Sequence, residues 1–285
     1  MNYRFTYDEE FRQKYFMDLS DEEAMLVRII VGGGHDSILY GYQPERLVKA
    51  IKRLTELNVV DAPSTCSLED MCGGGEDLHE GYVSKAHGGV LVMENLTDFR
   101  SSVLQMVRVP MENGVITLTR GGETKTLGAR FQLIATMQGC VCGNIGTSHE
   151  CLCSTQSIQD WWKKVECIKD KCPIIYKCVE SGERHMVEVP SMKSEIESDK
   201  YTRHYRSGSP CTNRGIEENE AGMMQINFTS GAREIYDTRV VSANLCKNKF
   251  NIARVARTVA DMRGHNQTRI ADIEAAIMLY NPACV

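Results

Sequence analysis

The chain has 285 residues, 42% apolar and 25% charged, with a formal net charge of -5, which suits a globular protein with a sizeable core. That balance excludes a uniformly basic nucleic-acid or membrane-surface binder, though not a local basic patch. No stretch approaches the roughly 20 apolar residues that span a bilayer, and MNYRFTYDEE lacks a signal peptide's apolar region, so a cytoplasmic protein with no membrane partner is expected.

Residues 1–31 begin polar and end apolar. Ser20 followed by Asp21, Glu22 and Glu23 predicts a helix start ahead of Ala24, Leu26, Val27, Ile29 and Ile30. A strand over Ser37–Tyr40 precedes Pro44, which suits a first helical turn, and Leu47, Val48, Ile51, Leu54 and Leu57 then recur at helical spacing. Asp61 to Glu80 is rich in Gly, Pro, Ser and acidic residues and reads as a surface loop. Gly89–Met93 and Phe131–Met137 are short Val, Leu and Ile runs, so both read as strands buried on two faces, which implies a covered, parallel sheet.

Between those strands a helix is predicted over Asp98–Val109, stopped by Pro110. Val115–Thr119 and Thr124–Leu127 flank Arg120-Gly121-Gly122-Glu123 as a β-hairpin. Arg120 and Lys125 read as ordinary solubilising charges on an exposed hairpin; contact with a nucleic-acid backbone is implied only by the family resemblance set out below. Trp161 and Trp162 point about 100° apart on a helix, so at most one is expected to be well buried. Residues 181–230 read as a polar, loosely helical linker, and the end is plainly helical: Ile252, Val255, Ala256, Val259 and Met262 form one face, Gly264 stops it, and Ile270, Ile273, Ile277 and Tyr280 form another. Arg254 and Arg257 remain in this part as the arginines a lid could offer to a ligand, and in the plainer reading they face solvent.

Twelve cysteines in a cytoplasmic chain read mostly as small core thiols. Two C-x-C pairs, Cys140/Cys142 and Cys151/Cys153, are separated by eight residues. Such pairs can set four thiolates around one zinc, with His149 able to replace one, although structural sites more often leave two residues or more between paired ligands; free thiols in a loop is the equal alternative.

The order of these pieces resembles the core of the magnesium-chelatase-like AAA+ proteins of the ComM and YifB type. It runs from Gly73-Gly74-Gly75 through HEGYVSKAHGGVLVMENL, PMENGVITLTR and ARFQLIATMQGCVCG to VARTVADM. The resemblance implies an α/β fold, a P-loop-type αβα sandwich with a parallel sheet followed by a helical lid. It divides the chain into an AAA+ core over 1–185, carrying the hairpin 115–127 and the cysteine cluster 140–153, a polar linker over 186–230 and the lid over 231–285. The chain starts where that core would, so the family's N-terminal protease-like domain is expected to be missing.

The nucleotide positions depart from the family. A phosphate loop uses glycines to turn N–H groups onto phosphates, a lysine for charge and a hydroxyl for magnesium. Here one glycine, Gly41, remains, and Leu47 and Val48 stand where lysine and Ser/Thr belong. The family's adjacent Asp and Glu become Glu94 and Asn95, its water-positioning Asn becomes Gln138, an interface arginine falls at Lys177, and the lid's S-x-R falls near Asn244–Lys247 without arginine. Asn95 cannot act as a general base. The expectation is a pseudo-ATPase serving assembly or regulation, with a protein partner or self-association. The alternatives are an ATP- and magnesium-binding motor related to the ComM DNA-remodelling type and a zinc-stabilised interaction domain.

Overall fold

The first helix, α1 (Asp21–Gly33), starts where Ser20 Oγ accepts the Glu23 N–H at 3.2 Å and Glu23 accepts the Ser20 N–H at 2.9 Å, a reciprocal cap that satisfies otherwise orphan donors. The computed structural model describes residues 19–55, 57–180 and 212–282. These fall into two units, one of residues 19–35, 46–55 and 212–280, the other of residues 36–45, 57–180 and 281–282. Most of the linker expected at 186–230 therefore lies outside the described residues. The part from 212 onward holds a 3-10 turn at Asn213–Gly215 and a later helix.

After α1 come β1 (Ser37–Gly41), α2 (Glu45–Leu54) and β2 (Val59–Ala62). Next are α3 (Leu68–Cys72), the two-residue strands β3 (Gly73–Gly74) and β4 (His79–Glu80), and α4 (Tyr82–Lys85). The central part continues with β5 (Val90–Met93), α5 (Ser101–Asn113), the hairpin strands β6 (Val115–Arg120) and β7 (Glu123–Gly128), and β8 (Gln132–Met137). Then follow α6 (Thr155–Lys163), α7 (Glu166–Lys169) and β9 (Ile174–Cys178).

The sheet belongs to the second unit. Its order is β2-β5-β8-β1-β9 and every pairing is parallel. Each residue of β5 and β8 is buried, as expected of strands covered on both faces. This is an α/β fold consistent with a Rossmann-like AAA+ sandwich. Two expectations need correction here. Asp61–Glu80 is not simply a loop: Asp61 and Ala62 close the edge strand β2, and Ser67 and Asp70 cap α3 reciprocally. Four residues of half-exposed strand leave no periodic signal. The helix after β5 runs through Pro110 to Asn113, and Gly114 closes it with an N–H to the Pro110 carbonyl at 2.7 Å.

In the first unit, α1 is joined by α8 (Glu220–Ile226), α9 (Ser230–Ile235), α10 (Lys249–Met262) and α11 (Ile270–Met278). The α10 face of Ile252, Val255, Ala256, Val259 and Met262 is buried, whereas Ile270, predicted to share a buried face, is 46% exposed. The first turn of α11 presents Asp272 and Ile273 inward instead. Arg257 does not face solvent. It is fully buried, pairs with Asp261 at 2.7 Å, and donates to the Thr268 hydroxyl and to the carbonyls of Ile226, Asn266 and His265. Arg254 is half-buried and donates to the Ile216 carbonyl at 2.8 Å. The segment 213–228 supplies carbonyls to both arginines, a tertiary arrangement that helical spacing does not reveal. Around them, Thr258 meets His35 at 2.8 Å and Asn213 at 3.1 Å, and Asn213 donates to Asp261 at 2.7 Å. Among the described residues no helix is long and apolar enough to cross a membrane.

A buried ion pair is costly to break, because one charge is left without its partner. Asp261→Ala is expected to remove about 3–5 kcal/mol of stability, read as a lower urea midpoint. A loss under about 1 kcal/mol would mean that the surrounding carbonyls hold the guanidinium unaided.

Candidate functional site

Parallel pairing brings the carboxyl ends of β5, β8, β1 and β9 to one edge. Tyr40 lies level with Met137 and Lys177, Gly41 with Cys178, and Met93 with Ala135. Gly41, Glu94, Asn95, Gln138 and Lys177 therefore share that edge. Glu94 and Lys177 are half-buried, while Asn95 and Gln138 are exposed. Asn95 has left-handed backbone (φ 55°) and donates its N–H to Thr136 Oγ1 at 3.1 Å. Leu47 and Val48 lie on α2 and are 0% and 1% exposed.

In an open α/β sheet the ligand crevice lies at the carboxyl edge where the strand connections part, here between β1 and β8. The chain's own backbone packs there. The Tyr42 N–H, which a phosphate loop would turn outward, is donated to the Cys178 carbonyl at 3.0 Å. Gly41 has φ 100°, and a Cβ on it would lie 2.4 Å from the Cys178 oxygen and 3.1 Å from that of Ile145. A Cβ on Gly146 would lie 3.2 Å from the Gly41 Cα and 3.1 Å from the Tyr42 nitrogen. Gly139 is as tight, with Ile145 and Tyr40 side chains within 3 Å of any Cβ. The loop 143–148 is fastened from the far side as well, by Glu180 N–H to the Gly146 carbonyl and by Ser148 N–H to the Glu180 carboxylate, both 2.7 Å.

This loop joins the two C-x-C arms. The sulfurs of Cys140, Cys142, Cys151 and Cys153 all lie within 4.8 Å of one another. Cys140 to Cys142 is 3.3 Å, Cys140 to Cys151 3.5 Å and Cys142 to Cys151 3.7 Å. A disulfide would require about 2.05 Å, whereas four sulfurs about 2.3 Å from a tetrahedral zinc stand about 3.8 Å apart. The Asn144 N–H, then Cys140, hold the Cys142 thiol down to about 6, while removal from water pushes Cys151 up to about 12. A divalent cation would hold all four as thiolates. His149, read as an alternative ligand, is exposed and outside this cluster.

Both arms are tied together by α6, which Ser154 caps directly after Cys153. Trp161 and Trp162 donate their indole N–H groups to the carbonyls of Gln138 and Gly139, each at 2.9 Å. Trp162 is buried edge-on against Tyr40 of β1, with centroids 5.0 Å apart, and Trp161 is half-exposed. The division of labour within the pair follows the helical geometry; its role as a clamp on the first arm does not show in the sequence. The signal that was available is G-N-I-G between the arms, two glycines bracketing a short apolar residue.

Arg120 and Lys125 are exposed on the hairpin, whose turn is Gly121-Gly122 (φ 56° and 88°). Lys125 Nζ donates to the Leu78 carbonyl at 3.3 Å.

A family model described as magnesium chelatase, subunit ChlI, matches residues 46–185. The chain is similar to YifB of Escherichia coli (39% identity over 85 residues, 30% of this chain and 17% of YifB). It is similar also to the competence protein ComM of Haemophilus influenzae (26% over 175 residues, 49% of this chain and 34% of ComM). An uncharacterized protein of Mycobacterium tuberculosis matches at 34% over 89 residues, 31% of this chain and 18% of that protein. The chain thus spans about a third or less of these relatives' length.

Gly41→Ala tests what the glycine is for. With φ 100° and the Cys178 oxygen 2.4 Å from the added carbon, it should lower stability by roughly 1–3 kcal/mol in chemical unfolding. A glycine needed only for nucleotide would leave the unliganded protein's stability unchanged.

Proposed function

We propose, for a chain that belongs with the magnesium-chelatase-like AAA+ proteins of the YifB and ComM type, a pseudo-ATPase module that keeps the family's scaffold and serves assembly or regulation. The observation that carries this reading is the hydrogen bond from the Tyr42 N–H to the Cys178 carbonyl, with Gly146 packed on Gly41. The amide that would face a phosphate is spent inside the fold. Lysine and hydroxyl are replaced by buried Leu47 and Val48, and Asn95 stands where a base would. Residues 1–185 are then the core and 231–285 the family's lid.

Each charge-assisted hydrogen bond to phosphate contributes about 1.5–3 kcal/mol, so their joint loss weakens binding by several orders of magnitude. Titration of ATP with magnesium should show no binding tighter than about the millimolar range. Micromolar binding would contradict the pseudo-ATPase reading. Glu94 keeps one carboxylate at the sheet edge; magnesium-dependent turnover abolished by Glu94→Ala would favour a motor related to ComM instead.

The cysteine cluster supports a second, compatible role as a zinc-stabilised interaction module. Four sulfur donors within 4.8 Å of one another fit zinc, with Cys140, Cys142, Cys151 and Cys153 as ligands. Bound zinc would brace the loop; four protein ligands leave no open position for catalysis. Protein purified without chelator should hold about one zinc per chain, and Cys140→Ser should release it and lower the melting temperature. Metal content near zero, with all four thiols freely titrating, would contradict it.

AAA+ subunit contacts include nucleotide, so this reading also expects a monomer or weak dimer. Light scattering at tens of micromolar should give the same small mass with and without ATP; a ring that forms only with ATP would contradict it.

A further inference from the structure

We propose that the cysteine knuckle is an oxidation site for hydroperoxides, in which the two C-x-C arms become joined by cross-arm disulfides and the loop between them loosens its hold on the end of β1. The inference rests on the zinc reading only for the metal it would release. Its basis is position, spacing and attachment.

Position comes first. Cys66, Cys72, Cys172 and Cys178 are buried thiols, but the knuckle lies at the surface: Cys142 is exposed, and Val141 and Leu152, the middle residues of the two arms, are 56% and 85% exposed. A small oxidant reaches Cys142 without any opening of the fold. Spacing comes next. Once Cys142 is oxidised, the second arm's Cys151 is 3.7 Å away, and Cys151 is 3.5 Å from Cys140, so cross-arm closure needs sulfur movements of about 1.5 Å. Closure within one arm would instead make a strained eleven-membered ring.

The chemistry balances. Cys142 thiolate attacks one oxygen of the hydroperoxide, the O–O bond breaks, and with one proton the other oxygen leaves as an alcohol, or as water from hydrogen peroxide. A second-arm thiolate then attacks the resulting sulfenic sulfur, the S–S bond forms, and the hydroxyl leaves with a second proton as water. Each disulfide takes two electrons from two sulfurs and reduces one hydroperoxide. Four thiolates thus consume two hydroperoxides and four protons, and a bound divalent cation is set free because disulfide sulfur is a poor ligand.

Attachment supplies the consequence. The loop 143–148 runs from one arm to the other, so joining the arms covalently changes the spacing of its two ends. The same loop carries Ile145 and Gly146, packed on Gly41, and the chain's two tryptophans sit at its base. Intrinsic fluorescence therefore reports directly on the knuckle.

The experiment treats the purified, reduced chain with hydrogen peroxide. It follows zinc with a chromogenic chelator, maps disulfides by peptide mass spectrometry, and records tryptophan emission and hydrogen exchange of residues 144–148. The expected result is disulfides linking 140 or 142 to 151 or 153, loss of about four titratable thiols, faster exchange of that loop, a changed emission reversed by dithiothreitol, and release of whatever zinc was bound. Cys142→Ser should slow thiol loss about tenfold or more; if that variant does not fold, the disulfide map of the unsubstituted chain decides. Sulfinic or sulfonic acids without cross-arm disulfides, or cross-arm disulfides with unchanged exchange, would overturn the proposal. Reduced protein lacking zinc would sink the metal reading alone, since connectivity and exchange still judge the switch.

Discussion

The second unit depends on a close approach of two backbones at the carboxyl end of β1. Gly41 and Gly146 lie against each other, with the Cys178 carbonyl accepting the Tyr42 N–H between them. Neither position accommodates a Cβ, and the left-handed backbone of each disfavours one further. Because β1 lies between β8 and β9, this contact fixes the place where a nucleotide-binding sheet would open toward its ligand. Backbone of the chain itself thus packs at that end of the sheet.

What holds the closing loop is a set of short connections rather than a large core. Glu180 grips it through two hydrogen bonds of 2.7 Å, the tryptophans tie α6 to Gln138 and Gly139, and four sulfurs gather the arms at its base. Each of these is worth about 1 kcal/mol by itself, and their joint effect depends on the sulfurs staying together. A metal or a covalent bond at that point therefore governs more structure than four cysteines would suggest. The first unit is built differently, around the buried Arg257–Asp261 pair and the side chains that share it.

Much of this was legible in the amino-acid sequence. Apolar runs of β5 and β8 implied a parallel sheet, Ser20 and Glu23 marked the start of α1, and Gly121-Gly122 marked the hairpin. The order of motifs pointed to the magnesium-chelatase-like group. The edge strand β2 was missed because four half-exposed residues carry no period, and Pro110 was misread as a stop although the helix continues to Asn113. Arg257 was misplaced because its partners come from 226, 261, 265, 266 and 268, a closure that only tertiary structure makes. Gly41 was the subtler case: a lone glycine after a strand reads as the remnant of a phosphate loop, and its packing against Cys178 and Ile145 becomes visible only when the sheet is assembled.

The most direct measurement is amide hydrogen exchange at Tyr42, with and without millimolar ATP and magnesium. If the N–H is held by the Cys178 carbonyl, it should be strongly protected in the unliganded protein and unchanged by nucleotide. A Tyr42 amide that exchanges freely alone and becomes protected on adding ATP would show that the loop still cradles phosphate, and would contradict the account.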